Sequence, residues 1–182
     1  MLPAMFRKPR TLASEEELYA AALRALMRRA HSVYEMRQAL ERRAEDKIVV
    51  RRVLQRLKNQ GLVDDGRYAR QFARVHAESR RHGRFRIARD LRARGVPDRH
   101  IEAALEETFA ETDEAALVRK RIERRLRALR GPLDERRLAS LYRSLLRAGF
   151  SSDVIRTELR ATTKRNVAEL IETESASEAE RG

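Results

Sequence analysis

The sequence predicts an all-α protein, an elongated tandem array of three three-helix, helix-turn-helix-like repeats. Three observations point there. Charged residues make up 38% of the 182 residues and aromatics only 5%, with no Trp, a mixture that favours helices over strands. Helix start and stop residues punctuate the chain at short intervals. The apolar positions between those stops also recur in one register.

In order, residues 1–13 read as a flexible basic lead. Ser14-Glu-Glu-Glu17 is a capping box, in which serine and glutamate satisfy each other's backbone donors. It opens a helix to about Arg29, with Leu18, Ala22, Ala25 and Leu26 on one stripe. Ser32 and Glu35 repeat the device for a helix to about Arg43, with Met36, Ala39 and Leu40 inward. Asp46 begins a third helix, to Gln60, carrying Ile48, Val50, Val53, Leu54 and Leu57. The first repeat is thus 14–61.

The second repeat, 62–112, is joined to the first through Gly61-Leu-Val-Asp-Asp-Gly-Arg-Tyr-Ala69. Gly61 suits a left-handed helix cap, and Leu62 and Val63 are expected to tuck under the next helix. Asp64 or Asp65 can accept from that helix's free N–H groups. The helix runs from about Gly66 to Arg81 with Tyr68, Phe72 and Val75. After Gly83 comes Arg84–Arg94, stopped by Gly95, and then a helix capped by Asp98 that reaches about Ala110. The third repeat, 113–162, holds Glu114–Arg130, a Gly131-Pro132 break, Asp134–Ala148, a Gly149 stop and Ser152–Thr162. Residues 163–182, rich in Glu, Ser and Ala, form a flexible tail.

The repeats align without a gap. Leu40, Leu91 and Leu145 correspond, each followed four residues later by Ala44, Gly95 or Gly149. Val50, Ile101 and Ile155 follow ten residues after the leucines, and Leu54, Leu105 and Leu159 fourteen after. Ala44 departs from the glycine pattern. A left-handed alanine is strained by about 1 kcal/mol or more, so a different, looser turn is expected in the first repeat.

No constellation for chemistry is present. His31, His76, His82 and His100 are scattered, no HExxH occurs and there is no Cys, so neither a zinc site nor a disulfide is expected. Phosphate-cradling glycine motifs are absent. Ser32, Ser151 and Ser152 read as caps, and the Asp64-Asp65 pair reads as a dipole complement. No catalytic, cofactor or metal site is therefore expected. Nor is there an apolar run near the roughly 20 residues that cross a bilayer, or a secretion signal, so a cytoplasmic protein is expected.

What remains is charge. The formal net charge of +13 points to a polyanionic partner. Arg67, Arg70 and Arg74 share one helix face at spacings of three and four. Arg84, Arg86 and Arg89, with Arg80 and Arg81, continue the charge through the Gly83 turn. Arg119, Lys120, Arg121 and Arg124, with Arg125 and Arg127, form a second cluster. Few aromatics stand free to stack on bases.

Four segments resemble the RecX family, bacterial regulators of the RecA recombinase. They are His31-Ser-x-x-Glu35-x-Arg37-x-x-Leu40, the Gly61–Ala69 segment, Gly83-x-x-Arg86-Ile87-x-x-x-Leu91-x-x-Arg94-Gly95, and Leu145-x-x-x-Gly149-Phe150-x-x-Asp153-x-Ile155. Together they span roughly 14–160, with Ala44, Val63 and Gly66 as departures. The resemblance implies a monomeric helical array lying in the groove of the RecA–DNA filament. There it would limit filament extension and inhibit ATPase and strand exchange, by binding and without chemistry of its own. The surplus charge could also touch single- or double-stranded DNA without sequence preference. Gly61, Asp64, Asp65, Gly95 and Gly149 are then junction residues that set the repeats against each other.

Overall fold

A computed structural model describes residue 12, residues 14–128 and residues 133–162. Among these the regular elements are all helices: α1 Glu15–Leu26, α2 Val33–Glu41, α3 Lys47–Asn59, α4 Asp65–Glu78, α5 Arg84–Arg92, α6 Asp98–Glu111, α7 Glu114–Arg127 and α8 Glu135–Arg147. A ninth, α9, spans 152–162. The expected lead, the Gly131-Pro132 break and the tail fall outside the described residues, apart from Leu12. The all-α helical-repeat fold expected from the sequence is what forms.

Local signals start the helices where the sequence placed them. Both capping boxes close: Ser14 Oγ accepts from Glu17 N at 3.2 Å, and Ser32 Oγ accepts from Glu35 N at 3.0 Å. Asp46 caps α3, Asp113 caps α7 and Asp134 caps α8. Ser151 Oγ accepts from Val154 N at 3.2 Å, so Ser151 caps α9 while Ser152 lies inside it. Several helices end two or three residues earlier than expected: α1 at Leu26 rather than Arg29, α2 at Glu41 rather than Arg43, α4 at Glu78 rather than Arg81, α5 at Arg92 rather than Arg94 and α7 at Arg127 rather than Arg130. Asp98 does not cap α6. It is that helix's first residue, and its carboxylate pairs with Arg92 at 2.7 Å, while Pro97 O accepts from Ile101 N.

The chain divides into two compact units, one of residues 1–72 and 90–104, the other of 73–89 and 105–182. In the first, Leu18, Ala22, Met36, Leu40, Val50, Val53, Leu54 and Leu57 form the core, closed by Val63. Leu62 is 38% exposed, so Val63 alone of the predicted pair tucks in. Ile48 is likewise exposed, because only one stripe of α3 faces inward. In the second unit Val118, Ile122, Leu141, Leu145, Phe150, Ile155 and Leu159 make the core, and Val75 on α4 stays exposed.

Each unit contains the same joint between consecutive repeats. In the first unit the start of α2 meets the α5–α6 turn: Ser32 Oγ donates to Arg94 O at 2.6 Å, and Tyr34 packs on Gly95. In the second unit the start of α5 meets the α8–α9 turn: Gly83 N donates to Ala148 O at 2.9 Å and Phe85 N to Gly149 O at 3.0 Å. In both, the residue just before the helix, Ser32 or Gly83, donates to the carbonyl just before a left-handed glycine, Gly95 at φ +69° or Gly149 at φ +89°. A Cβ on Gly95 would overlap Tyr34, and one on Gly149 would overlap the Arg86 backbone. Both glycines are therefore required twice, by conformation and by close approach.

Ala44 occupies the corresponding place in the first repeat and is not left-handed. Here the contact is made by Leu12. Leu12 N donates to Arg43 O at 2.7 Å and Glu45 N to Leu12 O at 3.3 Å, forming an isolated parallel bridge. The carbonyl one residue before the pattern position again accepts, but from Leu12 N rather than from a helix start. The different turn expected at Ala44 is present, and the Leu12 contact shows why an alanine suffices.

Candidate functional site

The Gly61–Ala69 segment is held by hydrogen bonds from several of its residues. Gly61 takes φ +65°, and Leu62 N donates back to Leu57 O at 2.9 Å, closing the last turn of α3. Asp64 is the α4 cap, accepting from Arg67 N at 2.7 Å. That bond holds the Asp64 carboxyl below its ordinary range, against a smaller opposing effect of burial. Asp65 does something else: its Oδ1 accepts from Val33 N at 2.9 Å, so it ties the start of α4 to the start of α2. Arg67 folds back to donate to Gly61 O.

Around that tie lies a polar network in the first unit. Glu35 receives Arg29 at 3.0 Å, Ser32 N at 3.2 Å and Tyr68 Oη at 3.3 Å, with Arg94 at 4.0 Å. Burial by itself would raise the Glu35 carboxyl. The Arg29 and Ser32 hydrogen bonds and the charges of Arg29 and Arg94 outweigh it and hold the group low. Arg94 also stacks its guanidinium over Phe72, 4.7 Å from the ring centre. His31 lies in the turn, Nδ1 2.9 Å from Arg29 O, as its position beside a cap serine suggests.

The basic residues differ in what they touch and in how far they are exposed. Arg74 faces Glu107 at 3.8 Å. Arg84 lies 3.8 Å from Glu114, whose carboxyl is pushed up by burial against the pull of Arg84, and also stacks on Phe109. Arg86 reaches Arg147 O at 3.4 Å. Arg119 makes a two-pronged pair with buried Glu158, at 2.9 and 3.0 Å. Arg121 donates to Arg81 O at 3.0 Å, steadying a left-handed non-glycine residue, Arg81 at φ +51°. Arg70, Arg89, Lys120 and Arg124 are exposed.

Two basic concavities open in the second unit. Arg81, Lys120, Arg124 and Arg127 line one of about 430 Å³. A cleft of about 530 Å³ between α7 and α8 is lined by Arg121, Arg124, Arg125, Arg137 and Arg147, with Ser140 and Ser144, above Leu133, Leu141 and Leu145. Cations crowd here: Arg121 is pushed below its usual value first by burial and then by Arg124, Arg86 and Arg81. In the first unit Arg37, Lys47, Arg51 and Lys58 line a groove of about 620 Å³ between α2 and α3. The α8 contribution was missed from sequence. Its signal is the spacing of Arg137, Ser140, Ser144 and Arg147, which places them on one helix face.

These observations define a tandem helical-repeat protein with a strongly basic surface. Among the described residues no helix is long and apolar enough to cross a membrane. Family models for the first and second three-helix domains of RecX match residues 19–57 and 64–105. The chain is 42% identical over 149 residues to a protein named regulatory protein RecX from Halorhodospira halophila, covering 82% of this chain and 90% of the relative. A protein of the same name from Deinococcus radiodurans is 35% identical, covering 94% of this chain and 79% of its own length. A crystal structure of regulatory protein RecX superposes with TM-score 0.70 at 25% identity, over 80% of this chain and 73% of that one. The chain belongs to the RecX family of regulatory proteins.

Proposed function

We propose that this protein is a negative regulator of a RecA-type recombinase. It binds in the groove of the recombinase–DNA filament, limits filament extension and lowers ATPase and strand-exchange activity. It acts in the cytoplasm as a monomer and without catalysis. The observation that carries this reading is the recurring joint: the same helix-start-on-glycine contact links repeat one to two and two to three. A chain built that way offers several small modules in tandem, which suits a partner that is itself a repeating polymer. The modules are residues 14–61, 62–112 and 113–162. The contact residues are drawn from Arg67, Arg70, Arg74, Arg84, Arg86, Arg89, Arg119, Lys120, Arg121 and Arg124, with exposed Lys120 and Arg124 first among them. Gly61, Asp64, Asp65, Gly95 and Gly149 hold the modules together.

The test is a titration of this protein into the cognate recombinase hydrolysing ATP on single-stranded DNA. Hydrolysis should fall as protein approaches filament stoichiometry, and unchanged hydrolysis at excess would count against the reading. The +13 charge favours a second reading, a module that binds DNA without the recombinase. That reading requires affinity for bare DNA that drops steeply with salt.

A further inference from the structure

The α7–α8 cleft has the chemistry of a site for an acidic, partly apolar peptide. Five guanidiniums line it, one of them, Arg137, 3.9 Å from Asp134. Among the described residues none of the lining carries a carboxylate, and leucines form part of its floor. Among the described residues no aromatic ring lines it, so these residues offer no stacking platform of the kind single-stranded nucleic acid uses. Guanidinium forks match carboxylates in two-pronged pairs, and the leucines require apolar side chains between those carboxylates. The cleft volume falls within the range of peptide and ligand clefts rather than of large docking faces.

This chain carries such a segment. The described residues end at Thr162, and the sequence beyond 166 reads Val-Ala-Glu-Leu-Ile-Glu-Thr-Glu-Ser-Ala-Ser-Glu-Ala-Glu-Arg-Gly. Glu169, Glu172, Glu174, Glu178 and Glu180 stand against a single arginine, and Val167, Leu170 and Ile171 recur at helical spacing. An extended chain covers about 3.3–3.6 Å per residue, so twenty residues past Thr162 have ample reach across a unit of this size. A tethered segment also competes at an effective concentration in the millimolar range. We propose that residues 167–180 dock in the α7–α8 cleft of their own chain and cover its arginines until a polyanionic partner displaces them.

The chain has no cysteine, which permits a direct test. Ser140 is an exposed lining residue of the cleft, and Ser175 lies among the acidic residues. The Ser140→Cys, Ser175→Cys variant is oxidised mildly at low protein concentration. An intramolecular disulfide should form readily and slow about tenfold when the five glutamates are changed to glutamine. It should slow similarly in about 1 M salt, where screening acts within a few ångströms. A circular-dichroism melt of the reduced variant checks that it is folded. Equal rates with and without the glutamates would show tether encounter alone and overturn the proposal. So would absence of the disulfide, or its appearance only between two chains. Recombinase takes no part in the assay, so its outcome is separate from that of the filament reading.

Discussion

Gly95 tests the joint between repeats most cleanly, because Gly61 in the same unit supplies a control. Both are left-handed, at φ +69° and +65°, so alanine at either costs about 1–2 kcal/mol of backbone strain. They differ in surroundings. Nothing lies within 4 Å of a Cβ at Gly61, whereas one at Gly95 would overlap Cβ and Cγ of Tyr34. Those atoms sit at the root of the side chain and cannot swing away without moving α2. Overfilling of this kind adds about 1–3 kcal/mol. Gly95→Ala should therefore cost about 2–5 kcal/mol in all, against about 1–2 for Gly61→Ala. In a chain of this size each kcal/mol lowers Tm by about 2–4 °C, so thermal melts followed by circular dichroism resolve the difference. Adding Tyr34→Gly to Gly95→Ala removes both overlapping atoms and should recover part of the excess, less about 1 kcal/mol for a glycine within α2. Equal losses at the two glycines, or no recovery, would refute the claim that this turn is where repeats dock.

Further outcomes follow from the same geometry. Ala44→Gly should destabilise by about 0.4–1 kcal/mol in urea unfolding, since Ala44 does not need a left-handed backbone and glycine only loosens the unfolded chain. Asp64→Ala should cost about 1 kcal/mol as a lost cap. Asp65→Ala should cost a similar amount, about 1 kcal/mol, by leaving Val33 N–H without its carboxylate. The double variant should lose thermal stability before it loses partner binding, and the reverse order in a binding titration would place the two aspartates at the interface. Glu35 has a folded-state affinity for protons lower than in the unfolded chain. Its contribution is therefore present above the ordinary carboxylate range and is lost as pH falls through the lower folded value. Glu35→Gln should thus lower Tm near neutral pH, with the gap closing in acid; a gap independent of pH would contradict this. Arg119→Ala should lower Tm because it strips the partner from buried Glu158, whereas Lys120→Ala and Arg124→Ala should weaken filament binding at unchanged Tm.

The fold was legible because its determinants are local. Caps at Ser14, Ser32, Asp46 and Asp134 and stops at Gly61, Gly95 and Gly149 are written within a few residues of where they act. The Ala44 exception was legible for the same reason, since a missing glycine implies a missing left-handed turn. Its cause was not, because Leu12 reaches Arg43 and Glu45 across some thirty residues. Gly83 looked like a spacer between helices, yet it meets Gly149 backbone to backbone. Asp98 looked like a cap, and Arg92 a turn earlier on α5 claimed it as an ion pair.

The basic surface was legible as charge and not as function. A run such as Arg119-Lys-Arg121 is uniform in sequence, and folding gives its members different work. Arg119 is engaged with Glu158, Arg121 with Arg81 O, and Lys120 is exposed. Side-chain direction around a helix, together with a carboxylate 39 residues away, makes that distinction.

The central claim is that the protein recognises a recombinase filament rather than DNA alone. Co-sedimentation of this protein with recombinase filaments on DNA, with bare DNA and with recombinase free of DNA tests it most directly. The account predicts saturable recovery with the filament at near-physiological salt and much weaker recovery with either component alone. Equal recovery with bare DNA, lost in step as salt rises, would contradict it and leave a DNA-binding module in its place.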